Sequence, residues 1–582
     1  MTHFDWLLVI GLNGAIIVYG LFKSRETKSS SDWFLAGRTL PWWVIGFSLW
    51  ATAIDASDIV ADSGGTFSIG MRYFVTNWVG TVAGWVVGAW FIALPMYRAG
   101  MYTNAEYLEA RFGPAARIIS ALVQVQYRTL VLGIIATSIY LTLSVVCGWA
   151  PFQTWCVVLA IAGLATIYTS LGGLKSVAIT DALQSIIMVG GSIILFTVVW
   201  NHIGGWAGLE EKLNAQQSGL ADQLLHIGRD SVDIKDVSEL SPEAIERRLL
   251  IGGQYNADSG EIRRTTPAWL ACSSFFILGF AYSVVNHTQS MRMFGARSEW
   301  DLKMSASLAG SILILTSFTN LMVGIMGRAL YPEFPADVAV HGTNDVIYPL
   351  LVRELTGFGL MGLVVAGILA ASFSTYDSIG STLSSLLVRD VYARLIAPNR
   401  EDHHYLRVGR WLTPVVIFGS FAYVPFLLRG GMLMFYVEFI GAFVAPLLAI
   451  YLMGTFTRVH RRSGTIGLVV GVLYGVLRML ASTIADSFGI AVLPEVMAGG
   501  LASWTFCVVI TCITMVIVSM VLGWERSGSL LHEEQSGWLR ASQQEVREID
   551  RTHDTQASNL WPALLSLAVV LAGALLSFVV FW

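Results

Sequence analysis

Charged residues are scarce in this chain. Only 13% of its 582 residues are Asp, Glu, Lys or Arg, while 55% are hydrophobic, and a typical soluble domain is about 25% charged. This balance excludes an ordinary water-soluble globular domain. Basic residues are not in excess either, because 36 Lys and Arg stand against 40 Asp and Glu, a net charge of −4. No nucleic-acid partner is therefore indicated.

Cysteine is rare as well, and its positions exclude two kinds of framework. All the cysteines lie in or at the edge of apolar runs, where a thiol behaves as a small hydrophobic group. Neither a disulfide framework nor a metal cluster is therefore expected. The five residues are Cys147, Cys156, Cys272, Cys507 and Cys512. The chain also lacks a Walker loop, a metal-ligand motif and a nucleophile–base pair, so we expect no enzymatic activity.

Long apolar runs are what the sequence has in abundance. Runs of about 18 or more residues recur along its whole length, and each can cross about 30 Å of hydrocarbon as a helix. The first run has no basic n-region and no small-residue cleavage site, so we expect it to be retained as a span. The sequence predicts about fourteen transmembrane helices, at residues 5–22, 41–63, 74–97, 118–147, 152–169, 176–200, 267–290, 303–329, 357–386, 407–427, 432–454, 464–484, 498–523 and 560–582.

The distribution of Lys and Arg predicts the orientation and the domain plan. Basic residues concentrate in alternate loops, which places those loops in the cytoplasm and both termini outside the cell (inner) membrane. Residues 201–265 then form an extracytoplasmic loop. The expected parts are residues 1–40 (an extra helix and a cytoplasmic loop), 41–454 (a ten-helix core), 455–523 (two additional helices), 524–558 (a cytoplasmic linker) and 559–582 (the last span).

The ten spans of the core divide into two halves of five. Because five is odd, the second half enters the membrane in the opposite sense, which is an inverted repeat. Transporters built this way bind their cargo near the midplane, where the first helix of each half breaks. The candidate breaks are SLWATAIDASDIVADSGG, residues 48–65, and ILGFAYSVVNHTQS, which contains Gly279 and the polar run from Asn286 to Gln289. Gly279 is alternatively a close helix contact.

Acidic residues occur inside several predicted spans. A carboxylate at the bilayer centre costs on the order of 3 kcal/mol, so such residues usually face a cavity, an ion or a partner. Asp62 lies near the outer end of its span, where a solvated position is an equal alternative. Two basic residues, Arg128 and Arg478, are expected either to pair with an acid or to extend to an interface. The acidic residues are Asp55, Asp58, Asp62, Asp181, Asp377 and Glu438.

The ninth predicted span is rich in hydroxyl groups. Ala371, Ser374 and Thr375 lie at i, i+3 and i+4, so one carbonyl and two hydroxyls converge on one helix face. A single Ser in a membrane helix usually bonds back to its own helix. Several oxygens on one face, with more carbonyls from a broken helix nearby, suit a hard monovalent cation.

Four motifs together resemble those of the sodium:solute symporters. They are DWFLAGRTLPWW, SLGGLKSVAITDALQSIIMVGG, the ninth-span Ala-x-x-Ser-Thr that leads to RDVYARL, and FYVEFIGAFVAP. The resemblance covers roughly residues 30–480, and the last span after a linker is similar to the fourteen-span sodium/sugar branch. It implies an all-α integral membrane protein with a five-plus-five inverted-repeat (LeuT-like) core. It also implies Na⁺ as the coupling ion.

The resemblance further implies the composition of the sodium site. Relatives hold sodium with two carbonyls at the break of the second span and with the ninth-span trio. Counting from Arg38 of the Gly-Arg motif, as in relatives, leads to a carbonyl pair that is followed by Gly64, with Asp55 just past the site. The implied ligands are Ala51, Ile54, Ala371, Ser374 and Thr375.

Other residues match a second ion site and the solute site of relatives. The second site would use Asp181, Ser374 and Ser378. Asp377 departs from the family pattern, and we hypothesise that the pair Asp181 and Asp377 binds a second sodium ion or holds a proton. The remaining matches are solute contacts at Asp58, Asn77 and Glu438, an inner gate at Tyr282, and an apolar Leu313 where sugar carriers have Lys. For Tyr282 and Phe435, ordinary packing is the alternative.

The leading functional hypothesis is a sodium-coupled symporter that imports a small polar organic solute, a sugar or polyol, by alternating access. The alternative solute is a cationic or zwitterionic amine or an amino acid, for which Asp58 and Glu438 would supply countercharge. A solute sensor without transport is a third reading, and the absence of a signalling domain after residue 523 argues against it. The expected partners are the solute, sodium and the lipid bilayer, with no obligate protein partner.

Overall fold

The fold is built almost entirely from helices in the part of the chain that the computed structural model describes. This part comprises residues 1–24, 33, 35–171, 174–228, 253–256, 261–264, 268–428, 432–488, 490, 492–494, 497, 500–525 and 559–582. The proposed linker at 524–558 and much of the loop at 201–265 lie outside the described residues.

Within the described residues, eleven α-helices precede a short β-hairpin. They are α1 (His3–Ser24), α2 (Trp42–Ala53), α3 (Ala56–Ile69), α4 (Val82–Val87), α5 (Leu94–Arg98), α6 (Asn104–Phe112), α7 (Pro114–Cys147), α8 (Pro151–Leu171), α9 (Leu174–Ile203), α10 (Gly205–Gln216) and α11 (Leu220–Leu225). Two π-helical segments, Thr76–Thr81 and Gly88–Ala93, join α4 and α5 into one span, Thr76–Arg98. In the hairpin, β1 (Gly253–Asn256) pairs antiparallel with β2 (Glu261–Arg264).

Twelve α-helices of the described chain follow the hairpin. They are α12 (Ala268–Val285), α13 (His287–Phe294), α14 (Glu299–Leu330), α15 (Ala336–Ala339), α16 (Ile347–Leu355), α17 (Leu360–Leu386), α18 (Asp402–Gly419), α19 (Val424–Leu427), α20 (Met432–Phe456), α21 (Ser463–Phe488), α22 (Ala502–Leu522) and α23 (Leu560–Leu575). A π-helical segment, Leu387–Ile396, continues α17.

The helix lengths support a many-span membrane protein, although they do not confirm the number fourteen. Among the described residues, 11 helices are long and apolar enough to cross a membrane, and the number rises to 13 if each of two bent pairs is one span. The apolar helix Pro151–Ile167, where a span was predicted at 152–169, is shorter than these.

Both predicted breaks exist. The helices α2 and α3 are bent by 50° relative to each other, and α12 and α13 by 44°. The second break falls at Asn286, whose side chain caps α13 by accepting a hydrogen bond from the Thr288 amide. Gly279 is not at this break. It lies within α12, where an added Cβ would be 2.0 Å from the Thr76 carbonyl oxygen, so its role is close packing against the third span.

The two broken spans are joined to each other and to the same neighbours. The Leu40 amide, just before α2, donates to the Gly295 carbonyl, just after α13, at 3.0 Å. Helix α14 packs along α2 and α3, while α17 contacts both halves of the first broken span and packs against α9. The broken helices are therefore enclosed by α9, α14 and α17, and this enclosure positions the polar residues of the first break.

Candidate ion and solute site

The first break is made by the acids that the sequence shows within an apolar run. Asp55 is the N-cap of α3, and its carboxylate accepts from the amides of Ser57 at 2.7 Å and Asp58 at 3.3 Å. The Asp58 carboxylate accepts in return from the Asp55 amide at 2.8 Å. This reciprocal capping box starts a new helix. It satisfies backbone donors that have no water to bond to at this depth.

The capping box leaves backbone carbonyls available. In a continuous helix the Asp55 amide would donate to the Ala51 carbonyl and the Asp58 amide to the Ile54 carbonyl. Both amides donate to carboxylates instead. The carbonyls of Ala51 and Ile54, which are the two predicted backbone ligands, have therefore lost their helical partners. Ala51 and Ile54 are also buried, at 0% and 3% exposure.

Helix α17, which is the ninth predicted span, contacts this break. The Ser374 hydroxyl oxygen lies 3.3 Å from the Ala51 carbonyl oxygen and 2.6 Å from Asp181 Oδ1. A hydroxyl has one hydrogen, and the shorter contact to a carboxylate takes it. The Thr375 hydroxyl, also buried, has no hydrogen-bond partner in the described structure. Buried groups of this kind need a partner, and oxygen atoms of these types are suitable ligands for Na⁺.

A buried ion pair lies beside this oxygen cluster. Asp181 accepts from Arg292 Nη2 at 2.8 Å, from Ser48 at 2.5 Å and from Ser374. The guanidinium of Arg292 also donates to Ser48 at 2.6 Å, to the Thr288 carbonyl at 2.8 Å and to the Ser378 hydroxyl. Side chains from α2, α9, α13 and α17 are thereby joined around one charge pair.

Arg292 corrects one feature of the sequence analysis. The predicted spans 267–290 and 303–329 left Arg292 in the loop between them, yet Arg292 lies in α13 and is 1% exposed. Its guanidinium is the cation next to Asp181. Asp377 is buried too, at 1% exposure. The pairing of Asp181 with Asp377 at a second ion site stays a prediction.

Two neighbouring cavities adjoin the break. One has a lining that is neutral apart from Asp58 and includes the polar residues Thr76, Asn77 and Thr81, and the predicted Leu313 is also on its wall. The other has a charged lining that includes Asp55, Asp62 and Arg128. We call them the neutral cavity and the charged cavity. The residues common to both are Asp58, Tyr73, Tyr282 and Tyr436.

The structure brings most of the predicted solute residues to these cavities. Asp58 lines both cavities, Asn77 lines the neutral cavity, and both residues are partly buried. The Tyr282 hydroxyl donates to the Thr52 carbonyl at 2.8 Å, which joins α12 to the first break. Phe435 stacks on Phe439 at 5.6 Å, as expected for packing.

One predicted solute residue cannot be placed, and two residues that line the cavities were not predicted. The side chain of Glu438 lies outside the described residues, although its backbone belongs to α20. Tyr73 and Tyr436 were not predicted. A tyrosine is common in membrane helices, so only the three-dimensional arrangement distinguishes a cavity residue from a packing residue.

A second charged cluster lies on the side of the membrane predicted to be cytoplasmic. Arg117, at the start of α7, donates to Glu109 at 2.7 Å and to Asp390 at 2.6 Å, and lies 3.4 Å from Glu106. Arg394 also pairs with Glu109. The cluster joins α6 to the π-helical end of the ninth span, where the RDVYARL motif lies.

Comparisons with known proteins agree with this architecture. The profile described as "Sodium:solute symporter family" matches residues 33–475. The chain is 28% identical over 562 residues to "Sodium/glucose cotransporter 1" of Sus scrofa, covering 92% of this chain and 81% of that protein. It is 27% identical to "Sodium/myo-inositol cotransporter 2" of Rattus norvegicus, covering 80% and 68%.

Two solved structures share the fold. A structure of a "Na+-coupled sialic acid symporter" in a substrate-bound outward-open state superposes with a TM-score of 0.68 at 19% identity, covering 89% of this chain and 98% of that one. A "nucleobase-cation-symport-1 family transporter" in a closed conformation gives a TM-score of 0.51 at 13% identity, covering 88% and 97%. The inverted-repeat transporter fold expected from the sequence is thus confirmed.

Proposed function

This chain belongs to the sodium:solute symporter family, and from that premise we propose that it imports a sugar or polyol together with sodium across the cell membrane. It is a multi-pass membrane protein. We place both termini outside the cytoplasm, in agreement with the distribution of Lys and Arg. No covalent reaction is part of the proposal. Relatives named for glucose and myo-inositol support the solute class.

The observation that carries the proposal is the approach of two oxygens from different repeats. The Ala51 carbonyl and the Ser374 hydroxyl are 3.3 Å apart. Two oxygens that bind one ion of sodium's size, at about 2.4 Å and at right angles, would be about 3.4 Å apart. The other proposed ligands are Ile54, Ala371 and Thr375.

Asp181 has a positioning role in this proposal. By accepting the hydrogen of the Ser374 hydroxyl, its carboxylate leaves the hydroxyl lone pairs to face the ion. The guanidinium of Arg292 compensates the charge of Asp181, so the proposed core site requires one sodium ion. A second ion or a proton at Asp181, Asp377 and Ser378 is the alternative stoichiometry.

Coupling follows from which segments the ion would join. An ion held by α2 and α17 stabilises the arrangement in which the broken second span rests on the ninth span. If the solute binds best to that arrangement, each ligand raises the affinity for the other. Release of sodium inward would loosen the contact, and rocking of the two repeats within residues 41–454 would alternate access. Tyr282, bonded to the Thr52 carbonyl, is the proposed inner gate.

The available energy is sufficient for accumulation. Sodium moving down a tenfold gradient releases about 1.4 kcal/mol, and one charge moving through 100 mV adds about 2.3 kcal/mol. The sum of about 3.7 kcal/mol corresponds to several-hundred-fold accumulation of a neutral solute per sodium ion.

For the solute, we propose that hydroxyl groups bind in the neutral cavity. Asn77, Thr76 and Thr81 there offer both donors and acceptors, and Asp58 is an acceptor for hydroxyl hydrogens. An amine is the second candidate, favoured by the carboxylates of Asp58 and Asp62 on the cavity walls.

Uptake into proteoliposomes tests the proposal. Purified protein is reconstituted, and labelled glucose, myo-inositol, choline and proline are offered with an inward sodium gradient or an equal potassium gradient. We expect a sugar or polyol to accumulate above the outside concentration with sodium only. If only choline or proline accumulated, the solute would be an amine or an amino acid and not a sugar or polyol. Uptake that is the same in potassium would contradict sodium coupling.

A further inference from the structure

Arg128 is a charged residue in the middle of the membrane. It lies about 21 Å from the start of α7 and about 28 Å from its end, by the helical rise per residue. The side chain is 1% exposed. At this depth an arginine cannot extend to an interface, and an uncompensated charge in the membrane interior is unfavourable. Its retention there calls for a partner.

The expected acidic partner is not in contact with it. Arg128 makes no ion pair within the part of the chain that the structure describes, and its Nε and Nη2 are buried without a hydrogen-bond acceptor. The nearest interactions are with aromatic faces, since the guanidinium carbon lies 5.6 Å from the Tyr282 ring centroid and 5.9 Å from that of Tyr127. These contacts stabilise the charge but leave the N–H groups unbonded.

The unbonded atoms form a recognisable edge of the guanidinium. Nε and Nη2 lie side by side and bind a carboxylate through two parallel hydrogen bonds. This chain uses the same edge elsewhere: Arg98 Nε and Nη2 donate to the two oxygens of Glu299 at 2.5 and 2.6 Å. Arg128 lacks such a carboxylate among the described residues, and it lines the charged cavity.

The acids of the charged cavity do not take this role. Asp62 is hydrogen-bonded to Tyr73, and Asp55 attracts Arg128 without forming an ion pair with it. One oxygen of Asp55 and one of Asp58 are engaged by backbone amides at the start of α3, where the positive end of the helix dipole compensates these two carboxylates. A sodium ion at Ala51 would compensate them further. The unmet requirement is therefore for an acceptor next to Arg128.

We propose that the Nε–Nη2 edge of Arg128 binds a carboxylate of the transported solute, so that the solute is an acidic sugar whose hydroxyls extend past Asp58 into the neutral cavity. This inference rests on the proposed function for the sugar part only. The carboxylate part depends only on the surroundings of Arg128, and the carboxylate of a zwitterionic amino acid would fit the same edge equally well. The cavities meet at Asp58, Tyr73, Tyr282 and Tyr436, which permits one solute to reach both.

The test compares solutes that differ only at the carboxylate. Sodium-driven uptake of glucuronate and glucose, and of galacturonate and galactose, is measured in proteoliposomes with wild-type protein, Arg128→Gln and Arg128→Lys. Arg98→Gln is the matched control, because it removes the same carboxylate-binding edge from a side chain that is 58% exposed. Proline is included as a carboxylated solute without a sugar ring.

We expect wild-type protein to prefer the acidic member of a pair. Losing a charge-assisted bond of about 1.5–3 kcal/mol corresponds to a rise of about 10- to 150-fold in the KM of the acidic sugar in Arg128→Gln. Arg128→Lys should recover part of this loss, since it keeps the charge without the planar edge. Arg98→Gln should leave the KM unchanged.

The outcomes separate this inference from the proposed function. Neutral sugars carried as well as acidic ones, with the KM values unaffected by Arg128→Gln, would overturn the inference and leave sugar symport intact. If proline were taken up in an Arg128-dependent way and no sugar were transported, the carboxylate site at Arg128 would be supported and the sugar would be rejected as the solute. If Arg128→Gln does not fold, the Tm of the wild-type protein is measured with each sugar instead. The inference predicts that glucuronate raises this Tm and that glucose does not.

Discussion

The hydroxyl oxygen of Ser374 lies 3.3 Å from the carbonyl oxygen of Ala51, across 323 positions of sequence. The contact joins the ninth span to the break of the second, and so joins the two repeats. Asp181 holds the same hydroxyl at 2.6 Å and is itself held by Arg292 at 2.8 Å. The proposed ion site is therefore supported by a buried charge pair, which makes its integrity measurable.

Arg292→Gln should destabilise the protein strongly. The change leaves the carboxylate of Asp181 buried without its countercharge, and breaking a buried pair in this way costs about 3–5 kcal/mol. The double variant with Asp181→Asn should recover part of the loss, because no charge is then buried. Thermal unfolding in detergent measures both, with Arg297→Gln as a control for a pair whose Arg is 41% exposed. Equal Tm values for Arg292→Gln and Arg297→Gln would contradict this account.

Gly64→Ala should also destabilise the fold, for a steric reason. An added Cβ at Gly64 would be 2.3 Å from Asp345 Oδ1 and 2.7 Å from the Asp345 Cα atom, so backbone must move. Overpacking of this kind costs about 1–3 kcal/mol. Gly190→Ala in α9 is the control, because its Cβ would meet nothing within 4 Å. A Tm for Gly64→Ala as high as that of Gly190→Ala would show that the contact is not close.

Glu106 should make stability depend on pH. Burial raises the pKa of Glu106 from 4.5 to about 7, despite the opposing attraction of Arg117. Between these values the folded protein holds a proton that the unfolded chain releases, so this group's contribution to stability falls as the pH rises through 7. The Tm should therefore fall less between pH 5 and pH 8 in Glu106→Gln than in wild type. The surface variant Glu401→Gln should behave like wild type, and identical slopes in all three proteins would refute the prediction.

Hydropathy and local chemistry were enough to predict the many-span plan and both breaks. Acids inside an apolar run indicated the first break, because they are tolerated in a membrane only with a structural or functional reason. Their capping role was not predicted. Asp58 was interpreted as a solute contact, and it both lines the cavities and closes the capping box with Asp55. A side chain can serve both purposes, and periodicity alone does not reveal the second.

The partner of Asp181 could not be predicted for a different reason. Arg292 is 111 positions away, and a basic residue close to the end of an apolar run is usually part of a loop. Only packing of α13 against α2 and α17 brings it into the membrane core. The identification of Ala51 and Ile54 depended on the spacing of a family motif, and their loss of helical partners is visible only in the folded backbone.

Direct binding of sodium to the purified protein tests the central claim most simply. Equilibrium binding of labelled Na⁺ is measured for wild type, for Ser374→Ala, and for Ser372→Ala, whose hydroxyl bonds back to Ile368 in its own helix at 2.9 Å. We predict saturable binding in wild type and Ser372→Ala and at least about tenfold weaker binding in Ser374→Ala, since a ligand and the link to Asp181 are lost together. Equal sodium affinity in all three proteins, or none in wild type, would contradict an ion held between Ala51 and Ser374.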